Sequence, residues 1–256
     1  MKITQIRNAT LIVEYAGKKF LVDPMLAPKG TYLGLPSTPN NHLMNPTVEL
    51  KTPMREILAV DAVIVTHTHL DHWDPVAQTL LAKTLPIFVQ DVADAESVQS
   101  AGFTDVRILG DDTKFEGITL TKTDGQHGTD EAVAAIGGLL GEVSGVIFQH
   151  PDEKKVYLAG DTVWNKYVES NLTRYVPDVV ILNSGDAQIL GLGPIIMNKE
   201  DVLSVHKAAP KAVLIATHLE AVNHAVLKRT ELRAFAIEHN MSHCLHIPED
   251  GEAVTL

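Results

Sequence analysis

The chain has 256 residues, enough to bury a substantial core in one large domain or two small ones. Hydrophobic residues at 45% and charged residues at 21% describe an ordinary globular protein. A formal charge of −11 works against non-specific binding to nucleic acid, and no apolar run approaches the roughly 20 residues that cross a bilayer.

Met1-Lys2-Ile3-Thr4 leads straight into strand-like sequence, with no charged-then-apolar leader. The lone Cys244 forms no internal disulfide, which fits a reducing compartment, so the expected location is the cytoplasm. Ile3 to Ile6, Leu11 to Tyr15 and Phe20 to Val22 read as strands, with a hairpin turn at Gly17-Lys18. Asp23-Pro24 opens a stretch to about Pro53 in which no helical or strand period survives. Such a loop serves as a lid or as an arm between copies in a homo-oligomer, or is a plain surface insertion. From Ile57 strands and helices alternate. Ala62 to Val65 is a strand, and Asp74-Pro75 caps a helix that runs to about Lys83. Ile87 to Val89 is a strand, Asp91 to Ala101 a helix stopped by Gly102, and Val106 to Leu109 and Ile118 to Thr123 are strands. Ala135 to Gln149 and Lys155 to Ala159 read as a hairpin turning at His150-Pro151-Asp152-Glu153. Strands follow at Val179 to Leu182, Val213 to Ala216 and Cys244 to Ile247, with helices at Lys199 to Ala208 and Ala225 to His239. This order fits two sheets between helices, and no linker divides residues 1–256 into two domains.

The chemistry gathers at Thr66-His67-Thr68-His69-Leu70-Asp71-His72, directly after the apolar strand. Imidazole and carboxylate together suit zinc, manganese, iron or nickel, and the absence of nearby thiolates argues against a structural zinc knuckle. In an extended segment His67, His69 and Asp71 share a face, while His72 faces elsewhere unless the backbone turns. One ion therefore does not take all four, which suggests two adjacent ions. Three later strand ends offer further ligands: His127 in Gly125-Gln126-His127-Gly128, Asp161 in Ala159-Gly160-Asp161-Thr162, and His218 after Ile215-Ala216-Thr217.

His67, His69, Asp71, His72, His127, Asp161 and His218, in that order, resemble the HxHxDH pattern and later ligands of the metallo-β-lactamase superfamily. The resemblance implies an α/β fold, an αββα four-layer sandwich, with two divalent metal ions at one edge. It implies His67, His69 and His127 on the first ion, Asp71, His72 and His218 on the second, and Asp161 bridging both. Asp71 and Asp161 are the expected catalytic carboxylates. Gly160-Asp161-Thr162-Val163-Trp164 and Gly193-Pro194-Ile195-Ile196-Met197 are similar to the ascorbate-6-phosphate lactonase-like group of metal-dependent hydrolases. True β-lactamases often place a cysteine ligand where Asp161 stands, so antibiotic hydrolysis is not expected.

The expected function is a metal-dependent hydrolase, with zinc as the expected metal and manganese or iron as alternatives. A hydroxide bridging two ions about 3.5–4 Å apart would attack a small ester, lactone or phosphodiester. The alternatives are a nuclease or phosphodiesterase of the same fold, which the acidic balance disfavours, and a non-catalytic metal-binding protein. The expected partner is a small-molecule substrate, with neither a membrane nor nucleic acid.

Other residues carry weaker signals. Asp23 resembles an aspartate that orients a ligand histidine, and reads also as a turn-starting Asp-Pro. Asp161 alone would read as the N-cap of a helix starting at Thr162. His224 and His42 could line the site or lie on the surface. Asp186 and Gln188 could border it or form a polar loop, and Lys166, Lys199 and Lys207 could meet an anionic substrate or be solvated.

Overall fold

The computed structural model describes all 256 residues. β1 (Lys2–Arg7), β2 (Thr10–Tyr15) and β3 (Lys18–Val22) form an antiparallel meander in which Ile3 faces Val13 and Leu11 faces Val22. A long connection and the single turn α1 (Met54–Ile57) lead to β4 (Ala62–Val65), which pairs parallel to β3. Then come α2 (Pro75–Leu80), β5 (Ile87–Val89), α3 (Val92–Ser100) and β6 (Val106–Ile108), with β4, β5 and β6 all parallel.

The second half repeats this plan. β7 (Thr113–Phe115), β8 (Ile118–Asp124), α4 (Asp130–Leu140), β9 (Ser144–Gln149) and β10 (Val156–Leu158) contribute antiparallel strands. α5 (Lys166–Tyr175), β11 (Val179–Asn183), a small β12 (Gln188–Ile189) and β13 (Gly193–Pro194) hairpin, α6 (Lys199–Ala208), β14 (Val213–Thr217), α7 (Arg229–Glu238) and β15 (Leu245–His246) follow. β10, β11, β14 and β15 are parallel, and β16 (Ala253–Thr255) returns to pair with β1. The two sheets have the orders β16-β1-β2-β3-β4-β5-β6 and β15-β14-β11-β10-β9-β8-β7.

The strand period of two assigns each side chain to a layer. Ala62 and Ile64 of β4 enter the core between the sheets, while Val63 and Val65 face the helices. Phe20 of one sheet meets Phe148 and Phe115 of the other edge to face, at centroid distances of 5.4 and 5.6 Å. Outside the first sheet, Ile57, Ala77, Ala95 and Val98 cover it from α1, α2 and α3. Val168, Val202, Val205 and Leu232 cover the second from α5, α6 and α7. The result is the expected αββα sandwich, and no helix is long and apolar enough to cross a membrane.

Several elements differ from the sequence reading. Residues 130–140 are helical rather than the first arm of a hairpin, because the Thr129 hydroxyl accepts from Ala132 N and starts a helix. The hairpin itself, β9 to β10, turns where expected. α5 begins at Lys166 with Asn165 as its cap, so Asp161 caps no helix. α7 begins at Arg229, and residues 218–228 form a turn-rich loop.

The stretch from Pro24 to Pro53 is irregular but firmly attached. The buried Arg7 guanidinium donates to the carbonyls of Met25, Ala27 and Val48. Asn223 donates to Thr38 Oγ1 and the Pro39 carbonyl, and accepts from Asn45 Nδ2 and Leu35 N. The stretch is a fixed roof over the strand ends.

Candidate metal centre

β3, β4, β8, β10, β11 and β14 all end on the same side, and polar residues follow each of them. After Val65 the chain leaves the sheet, and the amides of His72 and Trp73 both donate to the His69 carbonyl at 2.9 Å. That turn folds His72 back to within 4.1 Å of His67, centroid to centroid. The turn left open by the sequence reading therefore forms.

The outer nitrogens of four imidazoles are all engaged as donors. Thr66 Oγ1 donates to Asp23 Oδ2 at 2.8 Å, so the His67 Nδ1–H, 3.2 Å away, must donate to that hydroxyl oxygen. His72 Nδ1–H donates to Asp23 Oδ2 at 2.9 Å, His69 Nε2–H to the Leu139 carbonyl at 3.2 Å, and His127 Nδ1–H to the Ile195 carbonyl at 2.8 Å. In the neutral tautomer that donates outward, the inner nitrogens of His67, His69 and His127 carry bare lone pairs, while His72 Nε2 faces Asp161 Oδ2 at 3.1 Å. His67 Nε2 and His69 Nδ1 lie 3.0 Å apart.

Two carboxylates face the same point. Asn183 Nδ2 donates to Asp161 Oδ1 at 2.6 Å, which leaves Oδ2 at 3.1 Å from His72 Nε2, 3.7 Å from His218 Nε2 and 3.8 Å from His127 Nε2. Asp71 Oδ2 lies 3.2 Å from His218 Nε2 and 3.8 Å from His72 Nε2, and accepts from Asn8 Nδ2 at 3.3 Å. The ligand atoms of three trios each lie within 4.8 Å of one another: His67, His69 and His127; His67, His72 and Asp161; Asp71, His72 and His218. Lone pairs and carboxylates facing each other in a buried site repel unless a cation lies between them. The donor set therefore fits a divalent metal, with outer hydrogen bonds fixing the rings of His67, His69, His72 and His127 as metal ligands require, while His218 Nδ1 has no partner.

The electrostatics agree. Burial lowers the pKa of His67 and His127. Burial also disfavours the charged forms of His72 and His218, but nearby carboxylates outweigh it and raise both above the usual imidazole value: Asp161, Asp23 and Asp71 at His72, and Asp161 and Asp71 at His218. The burial that would raise Asp71 and Asp161 is outweighed in turn by His72 and His218, which hold both carboxyls well below their usual range.

Backbone conformation aims the side chains. Asn8, Asp23 and His218 follow β1, β3 and β14 with φ of 54°, 44° and 60°, the left-handed region that non-glycine residues seldom occupy. Beside His218, a Cβ on Gly185 would overlap the His218 carbonyl, so only glycine fits.

All seven expected site residues converge, and Asp23 binds both His72 and the Thr66 amide. Sequence reasoning missed Asn8, Thr66 and Asn183, whose roles depend on which strand ends become neighbours. His224 is buried and lines the cavity, whereas His42 is exposed. Asp186 and Gln188 bond to each other outside the cavity, and Lys166, Lys199 and Lys207 stay out of it.

Above the cluster opens a cavity of about 360 Å³. His69, Asp71, His127 and Asp161 form its polar floor, and its walls include Leu33, Leu35, Ile136, Leu139, Ile189 and Val222. No lysine or arginine lines it.

The family model of the beta-lactamase superfamily domain matches residues 18–219. The UPF0173 protein YddR of Bacillus subtilis is 52% identical over 256 residues, covering 100% of both chains. A UPF0173 metal-dependent hydrolase of Herpetosiphon aurantiacus is 29% identical over 194 residues, 74% of this chain and 73% of that one. The crystal structure of an isothiocyanate hydrolase from Delia radicum gut bacteria superimposes with a TM-score of 0.97 at 49% identity, covering 100% of this chain and 99% of that one. The fold, the converging ligands and these relatives agree: the chain belongs to the beta-lactamase superfamily and is a metal-dependent hydrolase.

Proposed function

We propose that the protein holds two divalent ions and hydrolyses a small neutral electrophile with an apolar substituent, isothiocyanates foremost. The observation that carries this reading is the cavity: its floor is the ligand cluster, its walls are apolar, and no cationic side chain lines it. A phosphodiester would bring an anion into such a cavity with only the ions to meet it, whereas a neutral substrate suits the apolar walls. Esters and lactones meet the same requirement. The isothiocyanate hydrolase at 49% identity, matched over the whole chain, makes isothiocyanates the first choice.

His67, His69 and His127 would hold one ion, and Asp71, His72 and His218 the other, with Asp161 available to both. Five imidazoles and two carboxylates suit zinc, with manganese or iron as alternatives. When bound, a pair of ions lowers the pKa of a shared water and polarises the electrophile. The chain's own residues orient and enclose. Asn183 fixes the face that Asp161 presents, Asn8 that of Asp71, and Asp23 the ring of His72. Leu33, Leu35 and Leu139, exposed at the cavity wall, would pack against the apolar substituent.

For an isothiocyanate the atoms balance with one water. Its oxygen bonds to the central carbon, and nitrogen and sulfur take the two protons. The carbon–nitrogen bond of the resulting thiocarbamic acid then breaks, with the sulfur-bound proton passing to nitrogen, giving an amine and carbonyl sulfide. Amine release from alkyl and aryl isothiocyanates by zinc-loaded protein, compared with esters, lactones and bis-phosphodiesters, tests the reading. Turnover confined to neutral substrates and abolished by chelation is the expected result. Faster turnover of phosphodiesters would overturn it.

A further inference from the structure

We propose that His224 contacts the substrate, its Nε2–H donating a hydrogen bond to the heteroatom that gains negative charge as water adds. This deepens the substrate reading above and rests on it.

The polar atoms lining the cavity can be accounted for one by one. His69, Asp71, His127 and Asp161 belong to the ligand cluster. Thr38 Oγ1 donates to the Leu35 carbonyl and accepts from Asn223 Nδ2. Asn45 donates to Asn223 Oδ1 and accepts from the Asn223 amide. His224 remains. It is only 4% exposed, it lines the cavity, and its Nδ1 is shielded from solvent without a partner. A buried orphan N–H costs more than a bare lone pair, so the proton belongs on Nε2. That tautomer puts a donor beside the substrate and leaves nothing on the protein for it to bond.

The ring is also held in place. The His224 carbonyl accepts from Gln188 N at 3.1 Å, Ala225 bridges to Ala187, and Asn223 is clamped on the other side by Thr38, Pro39 and Asn45. A donor fixed on a rigid loop and aimed into an apolar cavity is the arrangement that stabilises charge developing on a reacting group. Its removal should act on kcat more than on KM.

The test compares His224→Phe, which keeps the bulk but loses the donor, with His224→Gln, which keeps a donor. The unreactive thiocarbonyl phenylthiourea serves as a probe by calorimetry on metal-loaded protein, alongside kcat and KM for an isothiocyanate. The Phe variant should bind phenylthiourea about 10-fold more weakly and lose about 100-fold in kcat, with KM within about threefold. The Gln variant should stay within about fivefold of wild type in both, and metal content should be equal in all three. If the Phe variant does not fold, His224→Leu takes its place. Unchanged binding in the Phe variant, equal losses in both variants, or no phenylthiourea binding by wild type would each overturn the proposal. If wild type binds phenylthiourea but turns over no isothiocyanate, the substrate reading fails alone, and the binding comparison still decides the role of His224.

Discussion

His67 Nε2 and His69 Nδ1 face each other across 3.0 Å, although the other nitrogen of each ring already donates to an oxygen. With the outer nitrogens donating, the two inner lone pairs face one point, as the ligands of a shared cation do. Adding zinc to metal-free protein should raise Tm, by the equivalent of about 2.7 kcal/mol at a free concentration 100 times Kd. His69→Ala should lose most of that gain in a calorimetric titration. A Tm indifferent to metal in the wild type would contradict the opposed-lone-pair geometry.

Asp23 accepts from His72 Nδ1, Thr66 N and Thr66 Oγ1, at 2.9, 2.7 and 2.8 Å. It therefore ties the turn after β4 to the ring of His72. Asp23→Asn should weaken metal binding about 10- to 100-fold, measured by competition with a chelating dye, while the fold survives. Unchanged affinity would show that the contact orients nothing of consequence.

Gly185 packs where any Cβ would overlap the His218 carbonyl. Gly185→Ala should cost about 1–3 kcal/mol in urea unfolding and displace His218 from Asp71. Metal content should fall with it. A variant as stable and as metal-rich as wild type would mean that the loop yields freely.

The His67 to His72 run, Asp161 and His218 were legible because each follows an apolar strand, whose end exports the next polar side chains to the sheet edge; His127 follows the half-polar β8 and was legible through its place in the superfamily's ligand order. Their supporting contacts were not. Asn8 meets Asp71 only because β1 and β4 share a sheet, and Asn183 meets Asp161 only because β11 lies beside β10. α4 was hidden by Gly137-Gly138 and by the non-helical Ile136, at φ −138°, which break the helical pattern. Its loss from the sequence reading concealed Ile136, Leu139 and Leu140, and with them one wall of the cavity. The roof from Pro24 to Pro53 carries no period because its order comes from Arg7 and Asn223, distant in sequence.

Burial pulls His224 down from 6.5 to about 4, with Asp71 opposing and His218 assisting. The unfolded chain binds that proton first, so the stability tied to neutral His224 is whole above pH 6.5. It is lost as pH falls toward 4, by about 3 kcal/mol at roughly 1.4 kcal/mol per pH unit. Metal-free wild type should therefore lose more stability than metal-free His224→Phe between pH 7 and 4 in urea titrations. Parallel curves would contradict a buried neutral ring.

The most direct test of the proposed pair of ions is anomalous X-ray scattering from crystals of the zinc-loaded protein. Two peaks per chain are predicted, one among His67, His69 and His127 and one among Asp71, His72 and His218, with Asp161 Oδ2 touching both. A single fully occupied peak, with Asp71 and His218 free of metal at saturating zinc, would contradict it.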